Sequence, residues 1–256
     1  MTWEVAPQAL TAFILAMVRT IAWLIVAPPF SMRGIPIQVK LGLAGALALA
    51  VAPGLADQSV PLETVPLIGA TLAQVAIGLM LGFLTSMLFA AVQAAGEMID
   101  MFGGFTISSV FDPLTQNQAG VFGRFYNVLA LALLFAIGGH LLLIRGFLTS
   151  FEAVPLSGVP LTNLSGLFID TLGHFLLAAL EIAAPLLAVL FLTEVALGLL
   201  ARAAPQMNVF ALGFSLKIMV ALGLAGLAIT VLPGAVTSLA ENAVRTGSTA
   251  LRGMVG

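Results

Sequence analysis

Cysteine is absent from all 256 residues, which excludes disulfide staples and thiolate metal sites. Charge is nearly as scarce: Lys, Arg, Asp and Glu make up 8% of the chain, against about 25% in soluble domains. The formal net charge of −2 is uninformative, but with so few charges there is no basic face for a nucleic acid. Histidine occurs only at His140 and His174, far apart in sequence. No HExxH, GxSxG, Walker-type or GxGxxG pattern is present, so neither an enzyme nor a cofactor is expected. What fills the space is apolar: 61% of residues are hydrophobic and the mean hydropathy is +1.15. That composition predicts an all-α, polytopic membrane-type protein, because helices satisfy their own backbone groups where water is excluded. Trp3 and Glu4 stand where a signal peptide would carry basic residues, so the run that follows is expected to be a retained helix.

The first apolar run covers residues 5–30 and is interrupted by Arg19. An arginine within a span costs about 2.5–3.5 kcal/mol even on the lenient insertion scale, so Arg19 is expected to face protein or water. The run stops at Ala27-Pro28-Pro29-Phe30, where two prolines remove donors and disfavour helix before them. A basic turn with Arg33 and Lys40 leads to a short run, Leu41 to Ala56. After an acidic, proline-containing loop at 57–66, the chain carries no charge from Thr64 to Gly96. As one helix this stretch spans roughly 50 Å against a hydrocarbon core of about 30 Å, so it must tilt, bend or leave the bilayer. It contains Gly78 and Gly82 at a GxxxG spacing, a pattern that permits close helix approach but is common in Gly-rich chains.

Residues 96–126 form the longest polar interruption near the middle of the chain. They combine a Gly pair, hydroxyls, an Asp-Pro step, the amides Gln116-Asn117-Gln118, and Phe102, Phe105, Phe111 and Phe122. A solvent loop has no need of the phenylalanines, and a span holds the amides poorly. The stretch is therefore expected to pack into something both polar and apolar, such as a pore lumen. Gln93, Glu97 and Asp100 precede it on one helical face, as an acid–base pair or as a solvated or partner-facing helix end.

A fourth run is expected from Phe125 to Ile144, then a long connection over 145–170 with a helix starting at Asp170 or Thr171. His140, near the end of that run, suits an interfacial or hydrogen-bonded histidine, or a proton relay. The fifth run, 171–201, holds Glu181, Glu194 and a kink-prone Pro185. The two glutamates fit ion-coupling groups of a transporter or partners for Arg19, Arg202 or Lys217. A polar turn and helix start over 201–218 lead to the last run, Ile218 to Leu239, and to a tail with Arg245 and Arg252.

Two segments are specific. One runs from Val18-Arg19 through Ala27-Pro28-Pro29-Phe30 to Ile35-Pro36. The other is Ala204-Pro205-Gln206-Met207-Asn208-Val209-Phe210-Ala211-Leu212-Gly213-Phe214, followed by Lys217-Ile218. With Gly96-Glu97-Met98-Ile99-Asp100, Gly104 and Phe111-Asp112-Pro113, they resemble the FliR family of flagellar and injectisome type III export proteins. Ser215 departs from the proline of many members. The resemblance covers essentially the whole chain. It implies bent helical hairpins, with a FliP-like part over 1–170 and a FliQ-like hairpin over 171–256.

It further implies a non-enzymatic subunit of the flagellar export gate in the bacterial inner membrane and basal body. One such subunit would join five FliP and four FliQ around a closed pore for unfolded flagellar proteins, with FlhB and FlhA at the cytoplasmic side. The loop over about 104–123 would be part of the pore plug, bringing Phe105, Ser108, Ser109, Phe111, Asp112, Pro113 and Phe122 to the lumen. Arg19, Glu97, Asp100, Glu181, Glu194 and Lys217 would be buried or subunit-packing charges, and Pro205, Gln206, Met207, Asn208 and Phe210 the family motif. An injectisome export-gate subunit and a secondary transporter are the alternatives.

Overall fold

The computed structural model describes residues 7–32, 34–55, 58, 62–105, 120–157 and 164–255, the side chains at 164–168, 210, 227–229 and 252–255 excepted. The protein is all-α, with no strand among the described residues. In chain order the helices are α1 (Pro7–Val26), α2 (Ile37–Leu55), α3 (Thr64–Gly103), α4 (Val121–Ala136), α5 (Gly139–Leu148), α6 (Ser150–Ala153), α7 (Leu164–Ala203) and α8 (Val209–Val255). Among the described residues, α1, α2, α3 and α7 are long and apolar enough to cross a membrane. The bent pairs Val121–Ala136 with Gly139–Ala153 and Ala211–Gly226 with Thr230–Leu251 raise the number to six if each counts as one span.

The chain forms two compact units. The first comprises Met1–Met87, Gly138–Leu172 and Ala240–Gly256, and the second Leu88–Ile137 and Gly173–Leu239. In the first, α1 ends at Val26 as the prolines predict and packs on α2. Its core is aromatic: Trp23 stacks on Phe147 at 4.5 Å, and Phe147 meets Phe151 edge-on at 5.5 Å. The GxxxG spacing in α3 has a definite use. A Cβ at Gly78 would press on the Arg19 carbonyl and lie 2.7 Å from Ala22 Cβ, and one at Gly82 would lie 2.8 Å from Val26 Cβ. The two glycines thus let α3 run against the backbone of α1. In the second unit, Val92, Ala95 and Ile99 of α3 and Phe122, Tyr126 and Ala130 of α4 are all buried.

Several expected boundaries shift, for one reason: hydropathy marks what can be buried, whereas the helix ends where backbone geometry ends it. α3 continues past the acids to Gly103, 40 residues in all, or about 60 Å. The expected single run from Phe125 to Ile144 is divided. α4 closes at Ala136, and Gly138, with φ 72°, turns the chain into α5. The long connection expected over 145–170 is largely helix, since α5 reaches Leu148, α6 follows, and α7 starts at Leu164 rather than at Asp170 or Thr171. Pro185 lies inside the continuous α7. The last run and the tail are parts of one 47-residue helix, and α2 starts directly after Pro36 with 19 residues.

Candidate functional site: the neck of the central segment

The C-terminal end of α3 and the N-terminal end of α4 converge on one side chain. α3 terminates through a Schellman arrangement: Gly104, at φ 82°, takes the left-handed position that glycine tolerates. The Phe105 N–H donates to the Asp100 carbonyl at 2.9 Å and the Gly104 N–H to the Met101 carbonyl at 3.4 Å. The Asp100 side chain then crosses to α4. Its Oδ1 accepts the Phe122 N–H at 3.0 Å and its Oδ2 the Gly123 N–H at 2.9 Å. These are the second and third N–H groups of α4, the donors that an N-cap side chain ordinarily satisfies. The N-cap residue here is Gly120, which has no side chain to offer. Asp100 replaces that cap from twenty residues upstream, and the positive end of the helix dipole favours its charge.

Glycine provides the room. A Cβ at Gly120 would overlap the Asp100 carboxylate, and one at Gly96 would stand 2.5 Å from the Phe122 carbonyl oxygen. Asp100 is 1% exposed; its carboxylate is enclosed and hydrogen-bonded inside the chain. Within this chain Asp100 is a buried charge and not a solvated helix end. Glu97 differs: it is exposed and accepts a hydrogen bond from Gln93 Nε2 at 2.8 Å, while Gln93 Oε1 accepts from Asn127 Nδ2 at 3.2 Å.

Phe105 and Phe122 meet edge-on at 5.3 Å, and Phe122 continues to Tyr126 at 6.4 Å. Phe122 is 3% exposed; its ring is enclosed by its own chain. Ser108, Ser109, Phe111, Asp112 and Pro113 lie outside the described residues. The site is therefore the neck of the central segment: two helix ends, one carboxylate and an aromatic row. Sequence reasoning singled out Asp100, Phe105 and Phe122 but missed Gly120, Gly123 and the bonds joining them. A glycine at an N-cap position, directly before a helical run, was the available signal.

The other charges are arranged as follows. Arg19 is fully buried. Its Nε donates to Gln74 Oε1 at 2.6 Å, Nη1 to the Ser150 carbonyl at 2.8 Å, and Nη2 to the Val154 carbonyl at 3.0 Å. The guanidinium also lies 4.4 Å from the Phe151 ring centroid. Its acceptors are thus amide, hydroxyl and carbonyl oxygens. The two carbonyls are those of Ser150, the first residue of α6, and of Val154, the residue that follows it. Glu194 pairs with Lys217 across the α7–α8 hairpin, and Glu181 is exposed on α7.

The motif forms the turn of that hairpin. Pro205, Gln206 and Met207 are exposed, and Asn208 caps α8 by accepting the Ala211 N–H on Oδ1 at 3.2 Å. Phe210 lies in α8, with its side chain outside the described residues. Just below the turn, Gly104, Leu197, Phe214, Glu194 and Lys217 border a cleft of ≈ 280 Å³. No group of three or more His, Asp or Glu among the described residues could hold a metal ion.

Comparison with known proteins agrees with the motif. The family model described as bacterial export proteins, family 1, matches residues 10–243. The flagellar biosynthetic protein FliR of Escherichia coli K12 is 36% identical over 209 residues, covering 81% of this chain and 80% of that protein. FliR of Bacillus subtilis 168 is 33% identical over 216 residues, covering 82% of each. The surface presentation of antigens protein SpaR of Salmonella typhimurium LT2 is 34% identical over 173 residues, covering 67% of this chain and 65% of that protein.

Proposed function

This chain belongs to the FliR family of type III export-gate proteins, the bacterial export proteins of family 1, and from that premise we propose that it is a non-enzymatic pore subunit of the flagellar export gate. In this reading it assembles with FliP and FliQ, with a stoichiometry of five FliP and four FliQ to one copy of this chain. The assembly surrounds a channel for unfolded flagellar proteins in the inner membrane of the basal body, next to FlhB and FlhA. Residues 1–170 act as the FliP-like part and 171–256 as the FliQ-like hairpin. The segment between Gly104 and Gly123 contributes the plug. Phe105 and Phe122 form its root, which leaves Phe111 as the aromatic residue for the lumen.

The observation that carries this reading is the neck. The two helix ends that flank a segment rich in aromatics, hydroxyls and amides are joined at one point; α3 is long and apolar enough for a membrane, and α4 is so together with the bent stretch that follows it. A plug needs this arrangement: a fixed root and a tip with both apolar and polar side chains. The flagellar rather than the injectisome role is favoured by coverage, since the flagellar relatives align over more of the chain than SpaR does. The test is deletion of the gene followed by motility and hook-protein secretion assays. Loss of both, restored by the intact gene, is expected. Full motility in the deletion strain sinks the flagellar role.

A further inference from the structure

We infer that Asp100 is the positioning residue of the central segment, setting where its two ends stand relative to each other. The inference rests on the plug reading above and adds to it the part that holds the plug in place. Asp100 is the residue at which both ends are tied. Its backbone carbonyl receives the Phe105 N–H, where the segment leaves α3, and its carboxylate receives the Phe122 and Gly123 N–H groups, where the segment has returned into α4. Both ties belong to one residue, so the exit and the return of the segment have a common reference point.

The Phe105–Phe122 ring contact also joins the two ends, but a ring accepts neither of the two α4 N–H groups in place of the carboxylate. Gly120 has no capping side chain, and a Cβ there would displace the carboxylate. Glu97, one turn earlier on α3, is turned outward toward Gln93. Replacing Asp100 by Ala therefore leaves both α4 donors without that acceptor and removes the polar tie between the two helix ends, leaving the ring contact and the backbone packing at Gly96. Replacement by Asn keeps the shape but puts an amide that donates hydrogen bonds opposite one N–H, so one of the two ties is lost.

The absence of cysteine allows a direct measurement. Met101 and Val121 are exposed on this chain, and Met101→Cys with Val121→Cys places one spin label on each side of the neck. In the complex purified with FliP and FliQ, electron–electron distance measurement is expected to give a narrow distribution. D100A is expected to widen it at least two-fold, with D100N intermediate. In cells with equal amounts of assembled complex, D100A is expected to admit a small dye about as freely as a variant shortened between Gly104 and Gly123. If D100A does not assemble, D100N carries both measurements.

An unchanged label distribution in the Asp100 variants overturns the inference. A widened neck with a tight membrane, where the shortened variant leaks, also overturns it. If the shortened variant itself stays tight, the plug reading fails, and the label distances alone decide whether Asp100 sets the neck.

Discussion

Arg19 and Asp100 are both buried charges, and each is satisfied by neutral hydrogen-bonding groups rather than by an opposite charge. For Arg19 the acceptors are the Gln74 amide oxygen, the Ser150 carbonyl and hydroxyl, and the Val154 carbonyl. The planar guanidinium suits such divergent acceptors better than a lysine ammonium does. Arg19→Met keeps much of the apolar stem and orphans the Gln74 and Val154 oxygens, at about 1–3 kcal/mol for each, while the Ser150 carbonyl keeps the Val154 N–H. The variant is expected to unfold at lower temperature in detergent, with Arg19→Lys between it and the parent. A melting midpoint for Arg19→Met equal to the parent's contradicts this account. The sequence already required that Arg19 have a partner. It could not name Gln74, 55 positions away, or Ser150, 131 positions away, because partners so distant in sequence are decided by packing.

Two of the close helix approaches run through glycine. α3 meets α1 at Gly78 and Gly82 and meets α4 at Gly96, where side chains would hold the backbones apart. Gly78→Leu and Gly82→Leu are expected to destabilise the first unit by about 1–3 kcal/mol through overpacking. Gly69 in α3 and Gly42 in α2 have nothing within 4 Å of a built Cβ; Gly69→Ala and Gly42→Ala are expected to leave the chain's steady-state level unchanged. A substitution series scored by the amount of membrane-inserted chain separates the two classes, and equal tolerance at all four positions contradicts the packing described. Pattern alone could not separate them. With 26 glycines in the chain, GxxxG spacings arise by chance, and only the crossing of two helices distinguishes a contact glycine from a spare one.

Taken as one molecule, the chain leaves much apolar surface uncovered. Only 11% of the spanning window of α2 and 28% of that of α7 is buried, and Leu49, Leu72, Leu177 and Leu192 are all exposed. Such faces need lipid or protein neighbours. Expressed without FliP and FliQ, the chain is expected to be degraded or to aggregate, and to accumulate several-fold more when FliP is co-expressed and co-purifies with it. Pulse-chase and affinity co-purification measure this, and a long-lived, monodisperse lone chain in detergent is the contrary result.

Composition and local motif were enough for the helical class, for the stop at Pro28 and Pro29, for the family through Pro205 to Phe210, and for marking the central segment as unusual. Those features depend on residues adjacent in sequence, or on hydropathy averaged over a window. The helix ends were not legible in that way, since α3 carries Glu97 and Asp100 beyond its apolar run and α8 extends through a polar tail. Nor was the use of Asp100. A carboxylate near a helix end can face solvent, a partner or another helix, and all three have the same sequence. Only the approach of α4, made close by Gly96 and Gly120, gave its two oxygens the backbone N–H groups to which they bond.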